Sequence, residues 1–303
     1  MTFRRSAFVP PSCLGHFLKA IQLTIIVPVY KGEPFLEQLL REVSTVVSQV
    51  AEAGTPLEIS ECICVDDGSI DKSAEVLVKL AGIYPWLRVL TLSMNFGQHP
   101  ATVAGILNSS GDWLVTLDED LQHKPNHILT MLWQACIDGA DVVYAKPLNG
   151  PHQSFFRDTA SRVAKSCVAR FTGNPFVKDF SSFRLIRGDV ARAAAASCSR
   201  ETYFDIALTW YTRRFTTLCI DMTDLRYTVT KDTGYRPSQL LQHAVRLMVT
   251  SDARILRLGF RAGAFGMIMG LIITIAIVAT KIWRPSGIPV QGWTPFIALY
   301  RYL

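Results

Sequence analysis

The chain has 303 residues, 49% of them hydrophobic, and a formal charge of +6 from 31 Lys and Arg against 25 Asp and Glu. That length closes a large core without staples, and seven cysteines without a CxxC pair argue against a zinc site and for reduced thiols in a cytosolic compartment. A mean hydropathy of +0.23 asks for an apolar segment somewhere, while the basic balance fits nucleic acid, an anionic membrane or a phosphorylated substrate without choosing among them.

The chain starts with Arg4 and Arg5 followed by AFVPPSCLGHFL, whose two prolines and histidine make a poor signal h-region. Residues 1–21 are therefore expected to be a cytosolic extension ahead of the first strand. LTIIVPV (23–29) then reads as a buried strand and PFLEQLLREVSTVV (34–47) as a helix. ISECICV (59–65), LRVLTL (87–92), WLVTL (113–117) and DVVYA (141–145) read as further strands. SAEVLVKLA (73–81), HPATVAGIL (99–107) and PNHILTMLWQACI (125–137) read as the helices between them. Strand and helix in alternation predict βαβ units and a mostly parallel sheet covered on both faces.

Residues 150–230 are less regular, with helical stretches near 154–171 and 201–214 and two short strand-like runs, TTLCI and LRYTV. Beyond Tyr235, Leu240, Leu241, Ala244, Val245, Leu247 and Met248 make an apolar stripe at helical spacing, followed by Arg254, Arg257 and Arg261. An uncharged run then extends over 262–280 and closes at Lys281. At ~1.5 Å per residue it matches the ~30 Å hydrocarbon layer of a bilayer. The domains implied are a catalytic unit over 22–232, amphipathic juxtamembrane helices over 233–261 and a transmembrane helix over 262–283. Residues 284–303 look like the start of a second apolar segment.

In parallel α/β sheets ligands gather beyond the carboxyl ends of the strands. Three polar stretches lie there: PVY (28–30), VDDGS (65–69) and TLDEDLQHKP (116–125). There is no GxGxxG after the first strand and no GxxxxGK[ST], so neither a dinucleotide dehydrogenase nor a P-loop enzyme is supported. In the acidic turn, Asp118 and Asp120 stand two apart and Gln122 adds a neutral oxygen, a set suited to Mg²⁺ or Mn²⁺ bridging a diphosphate. The other reading is a solvated acidic turn that caps the helix beginning near Pro125. For VDDGS the choice is between hydrogen bonding to a base or ribose and an Asx turn with a helix cap from Ser69 or Asp71.

The ordered set LTIIVPVY, VDDGS, NFGQHPATVAG (95–105), GDWLVTLDEDLQ (111–122) and DFSSFRLI (179–186), followed by an amphipathic helix and a membrane span, resembles glycosyltransferase family 2. Within it the chain is similar to the polyprenyl-phosphate glycosyltransferases. The resemblance implies a GT-A fold that binds a nucleotide sugar. Pro28, Tyr30, Asp66 and Asp67 would hold base and ribose, with Glu119 on the same nucleotide-sugar side. Asp118 would lie near ribose and diphosphate and, with Asp120 and Gln122, at the metal. Asp179 matches the acidic residue near the acceptor, with Asp120 the other carboxylate tied to the chemistry, and Arg184 matches a residue that contacts phosphate.

Some positions depart from the family pattern. Lys31 and Gly32 replace the Asn and Glu of PxYNE, which makes Glu33 the candidate for the lost carboxylate. TGY (233–235) replaces SKY, which leaves Lys231 or Arg236 to supply the missing phosphate-binding cation. The implied reaction moves a sugar from a UDP- or GDP-linked donor, UDP favoured, onto a polyprenyl monophosphate at the cytosolic face of the plasma membrane, with homo-oligomers left open. The alternatives are a tethered nucleotide-sugar-binding protein without activity, and a polysaccharide synthase of the same fold, for which no QxxRW motif is present. A nucleic-acid partner has only net charge in its favour.

Overall fold

In the computed structural model the residues described are 20–148, 179–199, 202–221 and 254–283. They fall into two compact units that divide after Asp252.

The first unit is built on β1, Ile21–Val29, in which every residue except Gln22 is buried. Uninterrupted burial requires cover on both faces, which is why this strand reads as a continuous apolar run rather than an alternating one. Leu23, Ile25, Val27 and Val29 enter one core and Ile26 enters the other. Helix α1, Glu33–Glu52, follows with Pro34 in its first turn and a single apolar stripe of Leu36, Leu39, Leu40, Val43, Val46 and Val50. Then come β2 (Leu57–Asp66), α2 (Ser73–Ala81), β3 (Leu87–Thr91), α3 (Gln98–Leu107), β4 (Trp113–Thr116), α4 (His127–Asp138) and β5 (Val142–Pro147). Each matches an expected element to within a few residues.

Beyond residue 178 lie β6 (Arg184–Arg187), α5 (Gly188–Ala196), α6 (Phe204–Tyr211) and β7 (Phe215–Ile220). The seven strands form one sheet in the order β3-β2-β1-β4-β6-β5-β7. β6 runs antiparallel to both its neighbours and the remaining pairings are parallel. Helices α1, α2 and α4 pack on one face, and α3, α5 and α6 on the other. This is the mostly parallel, doubly covered α/β sheet that the alternation predicts. The antiparallel β6 was not foreseen: its four residues, RLIR, are too short to show a period.

The second unit contains α7, Arg254–Trp283, one continuous helix. Amphipathic and membrane-crossing parts were expected to meet at 261/262, and no break occurs there. Its stretch Gly259–Ala279 has a mean hydropathy of 2.4 and contains no buried residue, with Phe265, Met267, Leu271 and Ile275 exposed. Its 21 residues are long and apolar enough to cross a bilayer. The predicted extension ahead of residue 20, the helix at 154–171, LRYTV, the stripe at 240–248 and the segment 284–303 lie outside the described residues.

Candidate active site

Because β1, β2, β4 and β5 are parallel, their carboxyl ends open on the same edge of the sheet. Register sets the neighbours. Val29 pairs with Asp66 and Ile26 with Thr116, so the loops after β1, β2 and β4 emerge side by side. Thr116 and Tyr144 both pair with Arg184, so Ser182, two residues earlier, lies between the strand extensions that carry Asp118 and Lys146.

The loop after β1 carries half-buried Tyr30 and then Lys31, a non-glycine residue at φ 60°. Gly32 donates its N–H to Ser73 Oγ at 2.9 Å, and Glu33 accepts the Lys72 N–H at 3.2 Å. Glu33 is thus used to tie α1 to the loop before α2. A Cβ on Gly32 would stand 3.0 Å from Glu119 Cγ. The Glu119 side chain of the acidic turn thus lies against the β1 loop.

After β2, both aspartates are buried. Asp66 accepts the Ser69 N–H at 3.0 Å, the Asx-turn arrangement. Asp67 accepts the N–H groups of Phe96 and Gly97 at 2.8 and 2.7 Å, so it draws the loop before α3 toward the acidic turn. Gly68 has φ +63°, and a Cβ there would sit 2.7 Å from the Met94 carbonyl carbon. Helix α2 is met by Asp71, whose carboxylate accepts both the N–H and the hydroxyl of Ser73. Burial pushes its acid up, and the two Ser73 hydrogen bonds together with the Glu33 N–H outweigh it and hold the carboxyl below its ordinary range. A carboxylate has about four acceptor sites, so Asp67 retains capacity for a ligand donor while it organises the loop.

The acidic turn itself does not cap α4: that helix has Asn126 at its N-cap and no side-chain capping bond. Asp118 is held from both sides, by Gln98 Nε2 at the start of α3 and by Ser182 Oγ at 2.7 Å. Asp120, 7% exposed, accepts the Gln122 N–H at 3.2 Å. Between them the chain turns through Leu121 at φ 62°, a conformation that costs a residue with a Cβ about 1–3 kcal/mol. Burial of the Leu121 side chain in the core offsets that strain. His123 follows, 5% exposed, stacked on Phe183 with ring centroids 4.9 Å apart. Its Nδ1 is buried without a hydrogen-bond partner and stands 3.8 Å from Asp118 Oδ2.

Among the described residues no three His, Cys, Asp or Glu side chains form a protein-only metal cage. The donor set nonetheless fits a hard divalent ion that takes one or two carboxylates and fills its remaining positions with substrate phosphate and water. An orphaned ring nitrogen beside Asp118 points the same way.

On the other side of Ser182, Asp179 forms an ion pair with Lys146 at the end of β5, both side chains half-buried. Arg184 is not at the open edge. Its side chain is 3% exposed and its Nη1 donates to Asp205, which also accepts the Tyr144 hydroxyl at 2.8 Å. The Phe204 ring lies 4.9 Å from the guanidinium. Burial opposes the charge on Arg184, and the Asp205 carboxylate outweighs it and raises the guanidinium above its ordinary value. Burial likewise pushes the Tyr144 phenol well up, and Asp205 adds to the push. β6 runs inward from Ser182 and carries residue 184 into the sheet, which places the Arg184 guanidinium in this buried network. Lys231 and Arg236 lie outside the described residues. Pro28 is buried within β1 itself.

Sequence reasoning missed Gln98, Ser182, Lys146 and His123. The rule that strand ends carry the site would have found Lys146; Ser182 needs the pairing of β6 with β4, which no local pattern reveals.

The family model of glycosyl transferase family 2 matches residues 24–199. The chain belongs to this family. It is a glycosyltransferase of the GT-A kind of fold. Over 269 residues it is 31% identical to the undecaprenyl-phosphate 4-deoxy-4-formamido-L-arabinose transferase of Pseudomonas fluorescens (strain SBW25), covering 88% of this chain and 76% of the relative. The enzyme of the same name from Proteus mirabilis (strain HI4320) is 28% identical over 293 residues, covering 96% and 86%. Among solved structures, mannosyl-3-phosphoglycerate synthase from Rubrobacter xylanophilus superposes with a TM-score of 0.55 at 11% identity, covering 79% of this chain and 75% of that one. Glucosyl-3-phosphoglycerate synthase from M. tuberculosis gives 0.53 at 14% identity, covering 80% and 82%. At these identities the structures speak for the fold alone.

Proposed function

We propose that this glycosyltransferase moves a sugar from a nucleotide-sugar donor, UDP-linked in preference to GDP-linked, onto a polyprenyl monophosphate of the undecaprenyl type, with inversion at the anomeric carbon. The observation that carries the reading is the row Asp118–Ser182–Lys146 across three strand ends. It sets an acidic, cation-seeking half for the donor beside a basic half for an anionic acceptor. The printed function of the curated relatives supports the acceptor class.

On the donor side, Tyr30, Asp66, Asp67 and Glu119 frame the nucleotide, with Asp67 and Gly68 setting the loop at 94–97 that walls it. Asp118, Asp120 and Gln122 would hold Mg²⁺ or Mn²⁺, and the ion when bound would neutralise charge growing on the leaving diphosphate. On the acceptor side, a phosphate monoester with a second pKa near ~6 is already largely dianionic at neutral pH. Its oxygen needs placement more than proton removal. Lys146 answers the acceptor's charge and Asp179 holds the ammonium in place, so Asp179 orients and does not act as an obligatory base. Helix α7 would anchor the catalytic unit at the cytosolic membrane face, where the lipid acceptor is presented.

The test is transfer by the detergent-solubilised chain from a panel of UDP- and GDP-sugars into undecaprenyl phosphate with Mn²⁺ or Mg²⁺, followed by mass spectrometry of the extracted lipid. A sugar-phosphate lipid is expected from at least one donor. Binding of a nucleotide sugar with no lipid product from any donor would favour the inactive-binder reading instead.

A further inference from the structure

We infer that His123 is a direct nitrogen donor to the divalent cation of the acidic turn, and that this makes the site prefer Mn²⁺ to Mg²⁺. The inference rests on the metal reading above and deepens it by naming a ligand and a selectivity.

Three observations bear on it. His123 is 5% exposed, and its Nδ1 is buried with no hydrogen-bond partner. Buried polar atoms are almost always paired, so an orphan of this kind asks for an absent partner. The ring plane is fixed by stacking at 27° on Phe183, itself fully buried at the start of β6. Finally, Nδ1 stands 3.8 Å from Asp118 Oδ2, too far for a hydrogen bond.

That separation falls between the two ligand spacings of an octahedral ion, so the pair must shift by less than about 1 Å to share one. At bond lengths of about 2.1 Å, neighbouring ligands of an octahedral ion lie roughly 3 Å apart and opposite ones roughly 4.2 Å apart. Ser182 occupies one acceptor direction of Asp118 Oδ2 and leaves another for the ion. The positive φ at Leu121 reverses the chain between Asp120 and Gln122, and His123 follows that reversal with its ring against Phe183 beside Asp118. Imidazole suits transition metals, whereas Mg²⁺ favours oxygen, so a nitrogen donor tilts the site toward Mn²⁺. Asp118, Asp120 and His123 do not stand as a closed cage among the described residues, so the ion needs a diphosphate to complete its shell.

The experiment is pulsed electron paramagnetic resonance on Mn²⁺ bound to the full chain in detergent with UDP, and with GDP in parallel. Protein labelled with ¹⁵N at histidine only separates imidazole from nucleobase nitrogen. A directly coupled histidine nitrogen is expected, absent from His123→Gln, together with a fall on the order of tenfold in the Mn²⁺-over-Mg²⁺ affinity ratio measured by competition calorimetry. Mn²⁺ bound with no histidine coupling overturns the inference and leaves the metal reading standing. A coupling that survives in His123→Gln assigns the donor to another histidine and also overturns it. Absence of Mn²⁺ uptake with either nucleotide overturns both. Where His123→Gln fails to fold, His123→Asn carries the same comparison, and absence of any histidine coupling in the unsubstituted chain overturns the inference by itself.

Discussion

Replacing Asp205 by Ala separates a buried architectural pair from a catalytic arginine. In the folded chain, Asp205 is 1% exposed and receives both Arg184 Nη1 and the Tyr144 hydroxyl. Truncation leaves the guanidinium with one 3.3 Å contact to the Ser181 carbonyl and the face of Phe204, and leaves the Tyr144 hydroxyl without its acceptor. Removing one partner of such a buried pair costs about 3–5 kcal/mol. In a unit of this size each kcal/mol moves the melting point by about 2–4 °C, so a fall of about 6–20 °C is expected. Thermal unfolding followed by tryptophan fluorescence in detergent measures it. Replacing both partners, Arg184→Met with Asp205→Leu, should recover the part of the loss that comes from the uncompensated charge, while the Tyr144 hydroxyl still lacks its acceptor. The reasoning is refuted if Asp205→Ala melts within about 2 °C of the parent. It is refuted equally if the double variant folds but no longer saturates with lipid phosphate, for then the guanidinium does reach the acceptor.

Other substitutions probe the open edge. Lys146→Gln should raise the KM for polyprenyl phosphate at least about tenfold with donor binding unchanged, because it removes a cation that faces an anionic acceptor; equal effects on both substrates would argue for a general packing role. Gly68→Ala forces a side chain into φ +63° against the Met94 backbone and should cost more than about 1 kcal/mol, with weaker nucleotide binding read by calorimetry. Asp67→Ala strips the acceptor from the Phe96 and Gly97 N–H groups; a loss of about 3 kcal/mol in denaturant melts is expected, and faster amide exchange at 96–97. The Cys198 thiol is pushed up to about 11 by burial and then by Asp205. Only about one molecule in a thousand is thiolate at pH 8, and its alkylation should speed roughly tenfold per pH unit up to pH 10, which mass mapping against exposed Cys219 would follow.

Much of this architecture is written locally. Apolar runs such as IIVPV can only be strands covered on both sides, and stripes such as Leu36, Leu39, Leu40 and Val43 can only be helices laid on them. Alternation of the two dictates a parallel sheet, and a parallel sheet dictates which edge carries the site. The uncharged stretch inside α7 was equally legible, because the length and polarity of a membrane-crossing helix are properties of consecutive residues. Pairing across the sheet is different: it joins residues far apart in the chain, and short strands carry no period that reveals their partners. Only the insertion of β6 between β4 and β5 sends Arg184 into the interior toward Asp205 and sets Ser182 between Asp118 and Lys146. Only the packed turn, with Leu121 buried at positive φ, leaves the His123 nitrogen facing Asp118. Residue types at the strand ends announced a charged crevice. Which of those charges face a ligand, and which face each other, was decided by the long-range pairing of strands.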